Sequence, residues 1–237
     1  MTANDSFSRP VYYLHSRRDD DGRGSWQAYR FCTAAGETVL AAHVFGIPKD
    51  SFIFLPHDLQ RPVLRLKSWR FFPFNGKYDV IDCASGDVLG TVKRNGAIFN
   101  PHGDKLGRMI DPTPARKKFV LGFVEAVFNA IIGQGDSAGS GSGSDGFELQ
   151  VGSRTVGTFR RMTLPFSVSP ESKAPESSAK QFLKRIVPAR FWRRLHALAS
   201  ASGWELNFSK EADDSMDPRL RLAAALFRIE LERRFAR

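Results

Sequence analysis

The chain has 237 residues and a formal net charge of +10, and 42% of its residues are hydrophobic, including 20 Phe. This hydrophobic content supports a folded core and excludes a chain that is disordered throughout. The positive charge favours an anionic partner such as phospholipid headgroups or nucleic acid, although a basic protein without such a partner has the same composition. The length fits one large β domain or two smaller domains.

The chain shows no targeting or membrane-spanning segment by composition. Residues 1–10 are polar and lack the apolar run of a signal peptide, so they are predicted to form a flexible arm. No stretch reaches the roughly 18 consecutive apolar residues of a spanning helix. Cys32 and Cys83 are too few for a disulfide scaffold and lie in strand-like stretches, as small buried hydrophobes do. These features predict a cytoplasmic protein that can lie peripherally at the inner face of the membrane.

Short strands joined by turns are predicted over the first third of the chain. Val11–Leu14 is the first strand, and the mixed-charge run Arg17–Gly22 after it is more typical of a solvated loop than of a metal site. This spacing of apolar runs and turn residues is typical of a meander of hairpins. The further strands are predicted at Trp26–Thr33, Thr38–Phe45, Ser51–Leu55 and Val63–Trp69.

A repeated unit of strand, glycine turn and strand marks the middle of the chain. Gly-Asp-x-Leu-Gly occurs at 86–90 and 103–107, with looser copies at 147–159 and 36–40. The first glycine is predicted to supply a positive φ in the turn, and the second a bend or bulge where a closing sheet turns its corner. A nucleotide-binding loop is a poor explanation, because no helix follows these glycines. About twelve strand candidates exceed what an open twisted sheet holds comfortably, so a closed barrel or a sandwich is predicted.

Two inserts interrupt the predicted meander, and the first spans residues 112–145. It combines Lys117 and Lys118, an apolar stretch from Phe119 to Ile132 and a Gly/Ser-rich linker. The apolar stretch is too short to span a bilayer. It is predicted to be a helix that either packs on the barrel or anchors at the membrane interface.

The second insert, residues 163–202, begins with an unstructured Ser/Pro/Glu-rich part and continues as a basic amphipathic segment. A basic amphipathic helix with Trp and Phe on its apolar side is typical of a membrane-surface segment, where each basic residue adds about 1 kcal/mol. The alternative is that Phe191 and Leu195 dock on the barrel while the arginines stay in solvent. The candidate lipid-binding residues of the two inserts are Lys117, Lys118, Lys180, Lys184, Arg185, Arg190, Phe191, Trp192, Arg193 and Arg194.

The last strand is predicted at Gly203–Ser209, and an acidic cluster follows it. The cluster contains Glu211, Asp213 and Asp214. Carboxylates can bind calcium, but this spacing matches no dedicated calcium loop. Acids before a helix are favoured by the helix dipole, so no metal site is predicted here.

The chain is predicted to end in a buried helix. Asp217 is a good N-cap, and Pro218 fits the first turn. A helix that is apolar on all sides is buried on all sides, so the sheet is predicted to close around it. Arg221 and Arg228 are then expected to meet polar partners or the barrel rim. The predicted structural residues of this central helix are Leu222, Ala223, Ala225, Leu226, Phe227 and Ile229.

Taken in order, the Tyr78–Gly90 unit, the Trp204–Phe208 strand and the Asp217–Phe227 helix resemble the tubby C-terminal-like superfamily. The chain is more similar to its phospholipid scramblase and LURP-one-related branches than to tubby proper. The resemblance implies a twelve-stranded β-barrel that encloses a hydrophobic C-terminal helix. It covers roughly residues 11–111, 146–162 and 203–235, and neither insert has a counterpart in the family. The acidic cluster lacks the calcium segment of the scramblases.

No enzyme, catalytic residue, cofactor or metal is predicted. No nucleophile elbow or Cys–His pairing is visible in the sequence. The predicted protein is a single, mainly β barrel domain over residues 11–237, with helical inserts and no transmembrane span. Its predicted function is non-enzymatic, peripheral association with anionic phospholipid membranes, and the alternatives are a nucleic-acid-binding or protein-interaction scaffold that uses the same basic surface. No metal-ligand spacing is shared by His15, His43, His57, His102 and His196.

Overall fold

The computed structural model describes residues 3–20, 25–44, 50–68, 76–113, 146–166, 203–209 and 216–235. Within these residues the chain forms twelve strands and two helices, α1 (Ala3–Phe7) and α2 (Pro218–Phe235). The strands are β1 (Val11–Asp20), β2 (Ser25–Cys32), β3 (Thr38–Val44), β4 (Ser51–Leu55), β5 (Asp58–Ser68), β6 (Lys77–Asp82), β7 (Val88–Lys93), β8 (Ala97–Phe99), β9 (Lys105–Ile110), β10 (Gly146–Val151), β11 (Arg154–Met162) and β12 (Gly203–Phe208).

The strands form one closed antiparallel barrel in chain order. Each strand pairs with its sequence neighbours, and β1 also pairs with β12, which leaves no open edge. Pairing continues across both inserts, because Ile110 lies opposite Glu148 and Met162 lies opposite Gly203. The predicted closed barrel of about twelve antiparallel strands is therefore confirmed.

The core is built from one face of every strand, as the alternation of apolar residues requires. On β5, for example, Leu64 and Leu66 are buried, whereas Lys67 is exposed. Large aromatic residues contribute most, and Tyr12 packs edge-to-face against both Phe31 and Phe208. Each fully buried side chain of this size contributes about 1.5–3 kcal/mol.

The glycine repeat forms bulged hairpins. The first glycine of each Gly-Asp-x-Leu-Gly copy has a positive φ, 80° at Gly86 and 91° at Gly103, as predicted. The leucine before the second glycine is the extra residue of a β-bulge, because Val80 pairs with Gly90 and Ile81 pairs with Val88. The looser copies bulge in the same way. A second glycine directly follows the bulge at Gly90, Gly107 and Gly157, as predicted, whereas Leu40 takes this position in the copy at 36–40.

The connections divide the barrel into two different ends. The turn end carries the short connections at 33–37, 56–57, 83–87, 100–104 and 152–153. The insert end carries the connections 21–24, 45–50, 69–76, 94–96, 111–145 and 163–202. Because hairpins alternate in direction, every connection between consecutive strands belongs to one end or the other.

Helix α2 begins at the turn end. The Asp217 carboxylate accepts a hydrogen bond from the Arg219 N–H at 2.8 Å, and the Asp217 carbonyl accepts one from the Arg221 N–H at 3.1 Å. Asp217 is thus the N-cap, as predicted. The predicted core residues of the helix are all buried: Leu222, Ala223, Ala225, Leu226, Phe227 and Ile229.

The side chains of α2 contact several strands. The Phe227 and Tyr78 rings lie 4.6 Å apart, which joins the helix to β6. The Arg221 guanidinium lies 4.6 Å from the centre of the Phe208 ring on β12. Arg221 is only 1% exposed, so it meets an aromatic ring in the core instead of the solvent at the rim.

Two predictions about the N-terminal region differ from the structure. Residues 3–7 of the expected flexible arm form α1, whose Phe7 is 3% exposed. The Tyr12 hydroxyl donates a hydrogen bond to the Ser6 carbonyl at 2.8 Å, and this bond fixes α1 at the turn end. The predicted loop at Arg17–Gly22 is strand as far as Asp20, which pairs with Ser25. Backbone pairing in a hairpin needs no apolar side chains, so the charged run did not reveal it.

Candidate functional site

The ten candidate lipid-binding residues lie outside the described residues, so the structure does not test their individual positions. It does define where their segments are attached. The first insert leaves β9 at Ile110 and returns at Gly146, and the second leaves β11 at Met162 and returns at Gly203. All four attachment points lie at the insert end. The barrel therefore brings the roots of the two basic inserts, which are distant in sequence, to one end of the molecule.

The insert end of the barrel is itself basic. Exposed or half-buried lysine and arginine side chains occur near the ends of β5, β6, β7, β9 and β11 there and in the β7–β8 connection. We call this set the basic rim. It consists of Lys67, Lys77, Lys93, Arg94, Arg108, Arg160 and Arg161.

Neighbouring groups hold parts of the basic rim in place at the surface. The Lys93 ammonium lies 4.3 Å from the centre of the Phe99 ring, and the Arg161 guanidinium lies 5.6 Å from the centre of the Trp204 ring. The Arg108 side chain donates to the Asn95 carbonyl at 3.3 Å. Such cation–π contacts are worth about 0.5–1 kcal/mol at exposed sites.

Two acids at the insert end are already engaged by the barrel. Asp50 accepts hydrogen bonds from the Arg65 side chain and from the Ser68 N–H at 2.9 Å. Asp79 accepts a hydrogen bond from the Thr91 hydroxyl at 2.8 Å and lies 3.6 Å from the Lys77 ammonium. These contacts reduce the negative charge that the two carboxylates present to solvent.

The turn end uses its acids to stabilise local structure. The Asp58 carboxylate accepts from the N–H groups of Gln60 and Arg61, at 3.2 and 3.1 Å, which closes the β4–β5 turn. Asp104 and Asn100 exchange hydrogen bonds across the β8–β9 turn. These are turn-capping roles, which explain the acids without a ligand.

Arg219 joins the start of α2 to the barrel. Its guanidinium pairs with Asp82 of β6 and, at 2.8 Å, with the Asp217 carboxylate. Burial opposes ionisation of Asp217, but the hydrogen bonds and charge of Arg219 outweigh it, so the pKa of Asp217 lies below its ordinary value. The hydrogen bond to Asp217 is also the main reason that the pKa of Arg219 is raised. The ion pairs therefore lock the helix cap to one strand.

Two further charged residues of α2 lie against the core. The Tyr29 hydroxyl of β2 donates a hydrogen bond to the Glu230 carboxylate, which is buried. The Arg228 guanidinium lies 4.9 Å from the centre of the Phe147 ring of β10. Polar groups buried with partners of this kind specify position and orientation. They fix α2 against strands on different sides of the barrel.

Neither a metal-ligand cluster nor a thiol with a lowered pKa occurs in the described residues. No group of three or more His, Cys, Asp or Glu side chains in these ranges is placed to hold a metal ion. Cys32 is buried, as predicted, and its burial raises the pKa of the thiol. Cys83 was also predicted to be buried, but it is exposed in the turn after β6, where partial desolvation together with the charge of Asp82 raises the pKa of its thiol. A raised thiol pKa disfavours the reactive thiolate.

The basic rim was not predicted from the sequence. Arg108 and Arg160 stand in ordinary strand patterns with no local motif. The rim could have been located from the alternating direction of the hairpins, because this direction assigns each strand residue to one end of the barrel once the strand order is known.

Within the described ranges, neither helix has the length and apolar character needed to cross a bilayer. Comparison of the chain with protein-family models, curated proteins and solved structures found no match in any of the three.

Proposed function

We propose that this protein is a non-enzymatic module that binds peripherally to anionic phospholipid surfaces, with the insert end of the barrel facing the lipid. The observation that carries the proposal is the attachment of both basic inserts at the end that bears the basic rim. The inserts that contain Lys117, Lys118 and the basic segment at 180–194 leave and re-enter the barrel at the end that carries Arg108 and Arg160.

The electrostatics favour a surface over a small ligand. The cations of the basic rim are distributed around the barrel mouth, from Lys67 on β5 to Arg161 on β11. An anionic leaflet presents charge over such an area, and each lysine or arginine near it adds about 1 kcal/mol. Because the Debye length is about 8 Å at physiological ionic strength, residues at the turn end contribute little when the insert end faces the lipid.

A central position of α2 is part of the same proposal. It is supported by contacts of the helix with Tyr29, Tyr78, Phe147 and Phe208, which belong to strands around the barrel. It is also supported by the burial of every side chain from Leu220 to Leu226. A helix enclosed by its own barrel cannot also span a bilayer, so the proposed binding is peripheral.

A closed barrel combined with a buried C-terminal helix supports membership of the tubby C-terminal-like superfamily, near its scramblase and LURP-one-related branches. That membership would place the protein in the cytoplasm, at the inner face of the membrane. The twelve antiparallel strands and the buried helix starting at Pro218 support this assignment.

The test is co-sedimentation with vesicles of phosphatidylcholine alone or mixed with phosphatidylserine. The variant Arg108→Glu/Arg160→Glu changes the basic rim on β9 and β11. Its matched control, Lys105→Glu/Arg154→Glu, makes the same charge change on the same strands at the turn end, and all four side chains are exposed. We expect the first variant to lose about 2 kcal/mol, roughly thirtyfold in affinity for the anionic vesicles, and the control to lose far less.

The inserts are tested in the same assay with Arg190→Glu/Arg193→Glu/Arg194→Glu, which we expect to abolish binding to anionic vesicles. Binding should weaken as salt increases, because exposed charges are screened. Failure of the wild-type protein to bind anionic vesicles at low salt would refute the proposal, as would equal losses in the rim variant and its turn-end control. Binding to DNA or RNA alone, with a steep salt dependence, would favour the nucleic-acid alternative.

A further inference from the structure

One region of the outer barrel surface is apolar and covered. Ala41 of β3 lies opposite Phe54 of β4. Their neighbours Ala42 and Ile53 belong to the core, so Ala41 and Phe54 point outward. Nevertheless Ala41 is 9% exposed and Phe54 is 7% exposed.

Aromatic side chains extend this patch. The His43 and Phe54 rings lie 4.8 Å apart, and the Phe52 and Phe54 rings lie 6.4 Å apart. Other outward positions of the barrel, such as Arg30 and Asn207, are exposed. A phenylalanine on the outside of a sheet reaches this degree of burial only when another element packs over it.

We propose that the outer face of β3 and β4 is the docking site for the apolar side of the second insert's basic segment, residues 180–198. The described chain shows the direction in which this insert leaves the barrel. The Phe166 ring lies 6.4 Å from the ring of Tyr13, an outward residue of β1. A Cβ atom at Gly36, in the β2–β3 turn, would lie 3.1 Å from Phe166 Cγ. The chain therefore leaves along the outside of β1 toward β2 and β3.

Distance and strand order favour this insert over the first one. β4 is three strands from β1, which is about 15 Å at the usual strand spacing. Residues 167–179 can span more than about 30 Å, which is enough to reach it. The apolar stretch 119–132 is instead rooted between β9 and β10, on the opposite side of the barrel from β3.

The chemistry of the segment fits the patch. The sequence spacing of Phe191, Trp192, Leu195 and Leu198 predicts the apolar side of a helix, with Arg190, Arg193 and Arg194 opposite. Docking of the apolar side on Phe52 and Phe54 leaves the arginines in solvent. Any contact of this segment with an anionic surface is then electrostatic and needs no insertion of its aromatic residues. The docking itself does not depend on the proposed function, because it occurs in the lipid-free protein.

Disulfide trapping tests the docking directly. In a Cys83→Ser background, Phe52→Cys is combined with Leu195→Cys, and the mildly oxidised protein is digested and analysed by mass spectrometry. The control replaces Phe52→Cys by Phe99→Cys, another half-buried outward aromatic, on β8. We expect the intramolecular disulfide from position 52 and little from position 99, since docking raises the effective thiol concentration to about millimolar.

Cysteine labelling is a second, independent test of whether residues 180–198 cover Phe52. The labelling rate of Phe52→Cys by a maleimide should rise several-fold when Leu195→Asp is added. Equal disulfide yields from positions 52 and 99 would overturn the proposal. A higher disulfide yield of Phe52→Cys with Phe128→Cys of the first insert than with Leu195→Cys would also overturn it. Disulfide-linked dimers alone would assign the patch to a second copy of the chain. Unchanged labelling without a disulfide would show that residues 180–198 do not cover it.

Discussion

The two ends of the barrel use the same twelve strands for different purposes. At the turn end, glycine hairpins, bulges and capping carboxylates close short connections, and Arg219 joins the α2 cap to Asp82. At the insert end the connections range from 94–96 to the two long inserts, and the side chains of the basic rim are exposed or half-buried. The turn end is held by local turn contacts and by the α2 cap, and strand pairing is continuous across both inserts. The other end is therefore able to carry insertions and charge without loss of the barrel, as loops on rigid scaffolds commonly do.

The bulges show how the turn end obtains this rigidity. Leu89, Leu106 and Val156 are extra residues on β7, β9 and β11, each directly before a glycine. A bulge increases local twist and bends the strand. A Cβ at Gly90 would lie 2.6 Å from Leu220 Cδ2, in the first turn of α2. The repeat therefore makes room for the start of the helix, whereas the insert end has no comparable repeat in the described residues.

The largest expected loss of stability comes from a substitution in the core that lies between the two ends. Leu226→Asp places a carboxylate without a designed partner at a side chain that is 1% exposed. Burying an unpaired charge costs several kcal/mol, so we expect the protein to unfold. Circular dichroism melting measures this, with Val88→Asp at an exposed turn-end position as the control. Loss of lipid binding with a native thermal transition would contradict the prediction.

A smaller effect is expected at the contact between the turn end and α2. A methyl group at Gly90 would lie 2.4 Å from the Phe99 carbonyl oxygen and 2.6 Å from Leu220 Cδ2. We expect Gly90→Ala to cost about 3 kcal/mol through overpacking. Gly86→Ala has open space but a positive φ, so it should cost only about 1 kcal/mol. Urea denaturation measures the free energy of unfolding of the two variants. Equal losses of this free energy in Gly90→Ala and Gly86→Ala would show that α2 does not press against β7.

The smallest effect is expected from the ion pair at the helix cap. Asp217→Asn keeps the capping acceptor but removes the charge, so we expect a loss of about 1 kcal/mol at pH 7, since the pair is partly exposed. The folded-state pKa of Asp217 is lowered, so its contribution is present above the unfolded pKa, about 4, and is lost as pH falls through the folded value.

Denaturant titrations between acidic and neutral pH measure this dependence. The free energies of unfolding of wild type and Asp217→Asn should converge as pH decreases. Asp87→Asn, at an exposed carboxylate of the same end, should follow wild type throughout. A constant difference between wild type and Asp217→Asn at all pH values would mean that the charge of Asp217 does not stabilise the fold.

Much of the barrel was predictable because it is encoded by local patterns. The glycine turns at Gly86 and Gly103, the cap at Asp217 and the burial of Leu222 to Phe227 follow from residue chemistry over a few positions. The extension of β1 to Asp20 was not predictable, because its charged residues pair through their backbone. The ordered α1 was also missed, since it depends on the hydrogen bond from Tyr12 to Ser6.

The candidate site was predictable only in part. The basic character of the two inserts is visible in their sequences, but their common attachment at one end requires the pairing of β9 with β10 and of β11 with β12. The basic rim has no local signature, since Arg108 and Arg160 become neighbours of the insert roots through strand direction alone.

By itself the sequence determined the class of the fold, a closed antiparallel sheet with a capped, buried C-terminal helix. Alternating side chains, glycine turns and an N-cap act over short distances along the chain, so they are readable without coordinates. Only the tertiary structure decided which residues share an end. That depends on the register and direction of paired strands, and pairing joins residues far apart in sequence. The positive charge of the chain is therefore a property of its composition, but the placement of the basic rim and the roots of both inserts at one end is a property of the barrel.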